Sequence, residues 1–247
     1  MKNKIGWCDM TWNPVIGCLN HCEYCYARGI AKRFWKKMSD IEIKHIMIMN
    51  NNNIFDINNN YYSAVEDNIK DFKPIILCSQ FDKKFPKKPQ RIFVGSMSEI
   101  YYWKPEWMER VLEKIRQYPQ HTFQFLTKFP EIYSNWYFPI NWWLGITINK
   151  DTDLWKDGFY YKKYYSLNNI KFLSIEPILE QITLLNLAFN WIIIGAETGN
   201  RRGKVIPKRE WIEDIVDYCR NNNIPVYLKD SLKEIYPVEI KEFPVEV

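Results

Sequence analysis

The sequence predicts an α/β fold of the TIM-type class, a full or partial (β/α) barrel. Two observations support this prediction. The chain has 247 residues, and from residue 91 onward short apolar runs alternate with amphipathic segments. Chains of this length are typical of one barrel domain, so we expect a single domain over residues 1–247. Residues of about 39–90 precede the regular part and are expected to form an insertion.

Six continuous apolar runs predict the strands. These runs are Arg91–Gly95, Thr122–Leu126, Trp143–Ile146, Lys171–Leu173, Trp191–Ile194 and Pro225–Leu228. Apolar runs without alternation are typical of strands that are buried on both faces, as in parallel sheets. Their starts lie about 20 to 35 residues apart, which is the spacing of strand–helix units.

Amphipathic helices are predicted between these strands. The segment Pro105–Tyr118 starts with proline, which suits the first helical position, and its apolar residues recur at helical spacing. The segment Arg209–Asn222 repeats the pattern and ends in asparagines, which favour a helix end. Helices between strands connect parallel neighbours, so both segments support the α/β class.

The composition excludes several classes of protein. Aromatic residues make up 17% of the chain and hydrophobic residues 47%, which excludes intrinsic disorder, collagen and coiled coil. The net charge of +5 permits an anionic partner without indicating one. No apolar run approaches the roughly 20 residues that span a bilayer, and the first ten residues lack a signal-peptide core. We therefore expect a cytoplasmic protein that does not bind membranes.

Polar residues follow each predicted strand. They are Ser96, Ser98, Glu99, Lys128, Thr147, Asn149, Ser174, Glu176, Glu197 and Lys229. Ligands of α/β folds bind at the carboxyl ends of parallel strands, although any strand must also meet solvent somewhere. If the barrel forms, we expect the charged residues of this set to face one cavity. These residues are Glu99, Lys128, Glu176, Glu197 and Lys229.

Three of the six cysteines form a compact motif. Cys18, Cys22 and Cys25 have the spacing C-x3-C-x2-C, whereas the other cysteines are scattered. In a reducing location, clustered cysteines indicate metal ligands rather than disulfides. Structural zinc needs a fourth ligand, and His21 adjoins Cys22 too closely to reach the same ion easily. An iron–sulfur cluster held by three thiolates would leave one iron open for chemistry.

The cysteine motif resembles the signature of the radical S-adenosylmethionine superfamily, in which an aromatic residue, here Tyr24, precedes the last cysteine. Further segments resemble a phage- and mobile-element-associated branch of this superfamily whose function is unassigned. These segments are residues 12–14, 93–98, 125–128, 173–177 and 194–199. A more distant likeness is to spore photoproduct lyase, a superfamily member that acts on DNA.

The resemblance implies a [4Fe-4S] cluster on Cys18, Cys22 and Cys25, in a loop after the first strand of the barrel. The open iron would bind the amino and carboxylate groups of S-adenosylmethionine. One electron, from a flavodoxin- or ferredoxin-like donor, would cleave the sulfonium bond. The resulting 5′-deoxyadenosyl radical would abstract hydrogen from a substrate.

The resemblance also implies roles for the candidate cofactor-binding residues. Tyr24 would pack near the adenine, unless it is a core aromatic. Ser96, Ser98 and Glu99 occupy the segment that contacts the methionine amino group in the superfamily. The residues expected at the ribose and carboxylate are Thr147, Asn149, Ser174 and Glu176.

Charged residues near the later strands have two alternative roles. Lys128 would neutralise the cofactor carboxylate or form an ion pair with Glu176 or Glu197. Glu197 and Lys229 would serve the cofactor or the substrate.

The expectation of a nucleic-acid substrate rests on two features of the sequence together with the likeness to spore photoproduct lyase. Aromatic and basic residues interleave in residues 159–165, and a basic cluster contains Arg201 and Arg202. Bases stack on aromatic rings and cations neutralise phosphates, so both segments, together with Lys229, are candidate substrate contacts. In the alternative interpretation, rings of the tyrosine run at residues 159–165 lie in the core and its lysines are solvated. A peptide or small-molecule substrate is an alternative, as is a non-catalytic module built on zinc or an iron–sulfur centre.

Overall fold

The structure, a computed structural model, describes residues 5–51, 59–154, 164, 166–184 and 188–245. The strands are β1 (Met10–Trp12), β2 (Val15–Ile16), β3 (Ile75–Ile76), β4 (Arg91–Val94), β5 (Thr122–Thr127), β6 (Trp142–Ile148), β7 (Lys171–Ile175), β8 (Trp191–Ile194) and β9 (Val226–Leu228). The helices are α1 (Tyr26–Asn51), α2 (Asn59–Asp71), α3 (Pro105–Arg116) and, after β8, Arg209–Asn221, here called α4.

The predicted α/β class is confirmed. Seven strands form one sheet in the order β1-β4-β5-β6-β7-β8-β9, and β2 pairs separately with β3. The pairs β1–β4, β6–β7, β7–β8 and β8–β9 are parallel. This topology is compatible with a partial TIM-like fold. All six predicted strands and both predicted helices are present, each within a few residues of its predicted bounds.

The chain divides into two compact units. The first is Met10–Phe123, and the second combines Met1–Asp9 with Gln124–Val247. In the first unit, α1 and α2 pack on the β2–β3 pair around buried Ile16, Ile46 and Ile69. The segment predicted as an insertion, at about 39–90, therefore holds the second half of α1, α2 and β3.

The second unit is built on the parallel strands β6 to β9. Their register aligns Thr147 with Ser174, Ser174 with Ile193 and Ile193 with Tyr227. Side chains alternate along a strand, so these aligned residues lie on one face of the sheet. The carboxyl edge of the sheet carries Asn149, Glu176 and Lys229, which lie two residues after Thr147, Ser174 and Tyr227 and just past the ends of β6, β7 and β9.

Within the described part of the chain, no helix combines the length and the hydropathy needed to cross a membrane.

Candidate functional site

The three clustered cysteines lie in a loop of the first unit, between β2 and α1. Gly17 opens this loop with a φ of 96°, and His21 adopts a φ of 50°. The backbone N–H of Cys25 donates to the carbonyl of Cys22 at 3.1 Å. These turns fold residues 17–25, the cysteine loop, back on itself before the first turn of α1.

The thiols of the cysteine loop are half-buried and free of disulfides. Backbone N–H groups of Asn20 and Arg28 donate to the sulfurs of Cys18 and Cys25, both at 3.4 Å. The pKa of Cys18 is raised to about 11, chiefly by burial; the hydrogen bond from the Asn20 N–H lowers it, and the nearby Glu99 carboxylate makes a smaller raising contribution. The cysteine loop therefore presents three free, half-buried thiols from one short segment of the chain.

The segment after β4 packs against the cysteine loop. Gly17 forms a parallel bridge with Ser98, and its N–H donates to the Met97 carbonyl at 2.9 Å. The Tyr26 hydroxyl donates to the Ser96 carbonyl, also at 2.9 Å. The first unit thus brings the predicted residues Ser96 and Ser98 next to the cysteines.

Glu99 is buried beside this contact. Its carboxylate accepts from the N–H of Tyr101 at 3.3 Å and caps a short 3-10 helix, Ile100–Tyr102. Negative charge on Glu99 also raises the pKa of the Tyr102 hydroxyl, although burial is the larger cause. Tyr24 is half-buried in a turn of the cysteine loop.

Three residues at this site were not predicted. Asn13 accepts a hydrogen bond from the Ser96 hydroxyl at 3.0 Å, and Asn20 accepts one from the Tyr102 hydroxyl at 2.7 Å. Arg28 donates to the Cys18 carbonyl at 3.0 Å. A basic residue three positions after the last cysteine was a signal for the third of these contacts.

The donor set of the cysteine loop suits a thiolate-ligated centre. Three soft sulfur ligands share one loop, and two of them already accept backbone N–H bonds of the kind that support iron–sulfur clusters. Within the described residues, no group of three or more His, Cys, Asp or Glu side chains has the arrangement of a metal site. Of the remaining cysteines, Cys8 and Cys219 are buried elsewhere.

The second unit places several predicted residues at the carboxyl ends of its strands. Lys128 hydrogen-bonds to the Asn149 side chain, whose amide donates to the Pro177 carbonyl at 2.8 Å. Lys229 forms an ion pair with Glu176. A side chain at Gly195 would lie 3.0 Å from Lys229 Cδ and 3.2 Å from Glu176 Cγ, so glycine leaves room for this pair.

Two strands of this unit carry buried polar side chains, Gln124 on β5 and Ser174 on β7. The Ser174 hydroxyl and the Gln124 amide have no hydrogen-bond partner within the described residues. Thr147, aligned with Ser174 on β6, is half-buried. Buried polar groups are nearly always hydrogen-bonded, so unpaired ones indicate room for water or a ligand.

Glu197 forms a bidentate ion pair with Arg201. The Arg201 nitrogens donate to its two carboxylate oxygens at 2.7 and 2.8 Å, and Glu197 is buried. This guanidinium holds the pKa of Glu197 below its usual range. Glu176 is thus paired with Lys229, and Glu197 with Arg201. Arg202 is exposed.

Replacing Arg201 with glutamine is expected to lower the free energy of unfolding at neutral pH by about 2–3 kcal/mol, because Glu197 would remain buried without its counterion. The lowered pKa of folded Glu197 stabilises the protein above the unfolded carboxyl pKa. This contribution disappears as the pH falls through the folded pKa. Urea denaturation across pH 3–7 measures it, with exposed Arg202→Gln as the control. An equal loss at every pH would contradict the ion-pair explanation.

The predicted nucleic-acid contact at residues 159–165 lies mostly outside the described residues. Tyr164 is described, and it is buried with its hydroxyl donating to the Leu144 carbonyl at 2.8 Å. This tyrosine is a core residue.

The fold and the cysteine loop define an α/β protein with a parallel sheet and three neighbouring free thiols. More particularly, the chain belongs to the family described as "Protein of unknown function (DUF5131)", whose model matches residues 2–235. Comparisons with curated proteins and with solved structures give no match.

Proposed function

We propose that this protein is a radical S-adenosylmethionine enzyme that acts on nucleic acid, in modification or repair. The observation that carries the proposal is the cysteine loop, which holds the free thiols of Cys18, Cys22 and Cys25 and in which two of the sulfurs accept backbone N–H bonds. Three thiolates at this spacing would hold a [4Fe-4S] cluster. When bound, that cluster supplies the electron for reductive cleavage of S-adenosylmethionine to a 5′-deoxyadenosyl radical.

Residues of the first unit would orient this centre. The N–H groups of Asn20 and Arg28 stabilise negative charge on two of the sulfurs. Ser96, Ser98 and Glu99 belong to the segment after β4 that packs beside the loop, and in this proposal they would bind the amino group of the methionine moiety. Tyr24 would cover the adenine.

The strand ends of the second unit, taken by themselves, would bind polar groups of a ligand. The unpartnered hydroxyl of Ser174, with Thr147 beside it, would be satisfied by hydroxyl groups such as those of a ribose. Asn149 and Glu176 lie at the same strand ends, where each is already held by a lysine. Glu197 orients the side chain of Arg201. Positive charge for the phosphates of a nucleic acid would come from Arg201, exposed Arg202 and half-buried Lys229.

Anaerobic reconstitution tests the proposal. The purified chain is incubated with iron, sulfide and dithionite, and then with S-adenosylmethionine. We expect about four irons and four sulfides per chain and the appearance of 5′-deoxyadenosine. Turnover is expected to rise when DNA or RNA is added, and not when peptide pools are added.

Three outcomes would contradict this proposal at different levels. One tightly bound zinc without iron would indicate a non-catalytic module. A complete cluster that forms no 5′-deoxyadenosine would rule out the cleavage chemistry. If peptides alone stimulated product formation, the cleavage chemistry would be retained, but the proposal of a nucleic-acid substrate would be wrong.

A further inference from the structure

The first unit contains a loop whose exposed surface is strongly basic. This loop, residues 81–90 and here called the basic loop, connects the short 3-10 helix Cys78–Gln80 to β4. Four of its ten residues are lysines, and only Asp82 is acidic. The exposed lysines are Lys84, Lys87 and Lys88. Among the described residues none of these three side chains has an ion-pair or hydrogen-bond partner, so their charges are available to a ligand.

Packing beneath the basic loop fixes its position on the first unit. Phe85 is buried, and the centre of its ring lies 5.4 Å from that of Trp12 and 4.9 Å from that of Tyr118. Lys83, the half-buried lysine of the loop, donates to the Thr11 carbonyl at 3.3 Å. These contacts hold the loop against β1 and the end of α3 with its other lysines outward.

Two prolines flank the adjacent lysines of the basic loop. Pro86 precedes Lys87, and Pro89 follows Lys88. Proline fixes its own φ and restricts the residue before it to extended conformations. A loop that is ordered before it meets a ligand loses less conformational entropy on binding. The two charges are therefore presented at little entropic cost.

Helix α3 adds positive charge at the start of the basic loop. Arg110 is exposed, and its guanidinium carbon lies 4.4 Å from the centre of the Phe81 ring. Lys114 donates to the Phe81 carbonyl at 2.8 Å. The same helix also exposes Glu106, Glu109 and Glu113. The surplus of positive charge therefore lies on the loop and not on the helix.

The chemistry of the basic loop favours a polyanion over a protein or a membrane. Within its ten described residues no large apolar side chain is exposed, because Phe85 is buried and Phe81 half-buried. Protein interfaces have an apolar centre, and helices or loops that bind membranes insert apolar side chains. Lysines without apolar neighbours instead suit the phosphate backbone of nucleic acid, which they bind by releasing its counterions.

The basic loop is separate from the cysteine loop. It leads into the amino end of β4, where the backbone N–H of Gln90 donates to Nδ1 of His121 at 3.1 Å. The cysteine loop packs on the segment that follows the carboxyl end of the same strand. The four residues of β4 span about 13 Å. A ligand of the basic loop is therefore not confined to the molecule that reacts.

We propose that the basic loop binds the phosphate backbone of nucleic acid without reading its sequence. The contacts expected from the sequence, residues 159–165 and the cluster with Arg201 and Arg202, belong to the second unit, so this surface is an additional one. Its binding requires neither a metal centre nor S-adenosylmethionine. The inference is thus independent of the chemistry proposed for the cysteine loop.

Fluorescence anisotropy of labelled oligonucleotides tests the inference with the protein as purified. The probes are duplex DNA, single-stranded DNA and duplex RNA of about 20 nucleotides, at about 50 to 200 mM KCl. We expect a Kd of about 1–100 μM for duplex DNA near 150 mM salt, equal for two unrelated sequences. The DNA and RNA arms identify which nucleic acid is bound.

The test variant replaces Lys84, Lys87 and Lys88 together with alanine. Each lost phosphate contact lowers the slope of log Kd against log salt by about 1, so we expect a slope smaller by about 2–3. The Kd for duplex DNA at low salt should rise at least about tenfold. Urea denaturation checks that this variant is as stable as the unchanged protein.

Two control variants separate position from net charge. Replacing Lys32, Lys37 and Lys44 of α1 with alanine removes the same number of exposed charges from another element. This variant should retain the Kd and the salt slope of the unchanged protein. Replacing the three exposed lysines of the basic loop with arginine keeps the charges and should also retain binding.

The possible results decide the inference without reference to enzymatic activity. Absence of saturable binding, an unchanged Kd in the loop alanine variant, or an equal rise in the α1 variant overturns it. If the loop variant keeps its Kd for nucleic acid but loses binding to phosphatidylglycerol vesicles, the loop contacts lipid and the inference fails. Failure of the unchanged protein to form 5′-deoxyadenosine contradicts only the proposed function.

Discussion

Replacing Cys22 with alanine is expected to remove iron from the reconstituted protein and to abolish 5′-deoxyadenosine formation. Cys22 is the middle ligand of the proposed set, and two sulfurs cannot hold a four-iron cluster in place. Loss even of a residue that only supports a ligand costs about 10- to 100-fold, so we expect a loss of more than about 100-fold. Iron and sulfide analysis and chromatography of the anaerobic reaction measure the two effects.

Cys78→Ala is the matched control for this prediction. Cys78 is half-buried and free, and it lies in a short 3-10 helix outside the cysteine loop. This variant should keep its iron and its product. Four irons retained by Cys22→Ala would mean that other residues hold the cluster, and the ligand assignment would be wrong.

The strands that the sequence predicted are those whose residues are continuously apolar. Trp191–Ile194 is buried throughout and lies between two parallel strands, β7 and β9, so that neither of its faces meets water. The resemblance implied a first strand before the cysteine loop, but the bounds of β1 were not predicted, because Thr11 interrupts Met10–Trp12 and no apolar run forms there. The pair β2–β3 has two residues in each strand, and its pairing depends on contacts between distant segments.

The candidate site was predictable as a set of residues and not as a set of contacts. Spacing alone identified the three cysteines, since their chemistry is local. The bond between Tyr26 and Ser96 joins residues 70 positions apart, so it depends on the path of the chain. For the same reason Glu176 could be chosen from the sequence, whereas its ion pair with Lys229 could not.

Replacing Gly17 with alanine is expected to destabilise the first unit and to distort the cysteine loop. Gly17 has a φ of 96°, and a Cβ there would lie 2.0 Å from the Lys73 carbonyl oxygen. The backbone cannot move away freely, because the neighbouring Cys18 N–H donates to the Phe72 carbonyl at 3.0 Å. The strained φ costs about 1–2 kcal/mol, and the overlap adds about 1–3 kcal/mol. Chemical denaturation should show a total loss of about 2–5 kcal/mol.

Gly199→Ala separates the two causes of this loss. Gly199 has a similar φ of 87°, but no atom lies within 4 Å of the position that a Cβ would take. This variant should therefore lose only the 1–2 kcal/mol that the strained φ costs. Because the overlap at Gly17 displaces the residue next to Cys18, Gly17→Ala should also bind less iron on reconstitution, and Gly199→Ala should not. If the two variants lost the same amount of stability, the positive φ alone would explain why residue 17 is glycine. The close approach of the Lys73 carbonyl would then make no contribution to the stability of the loop.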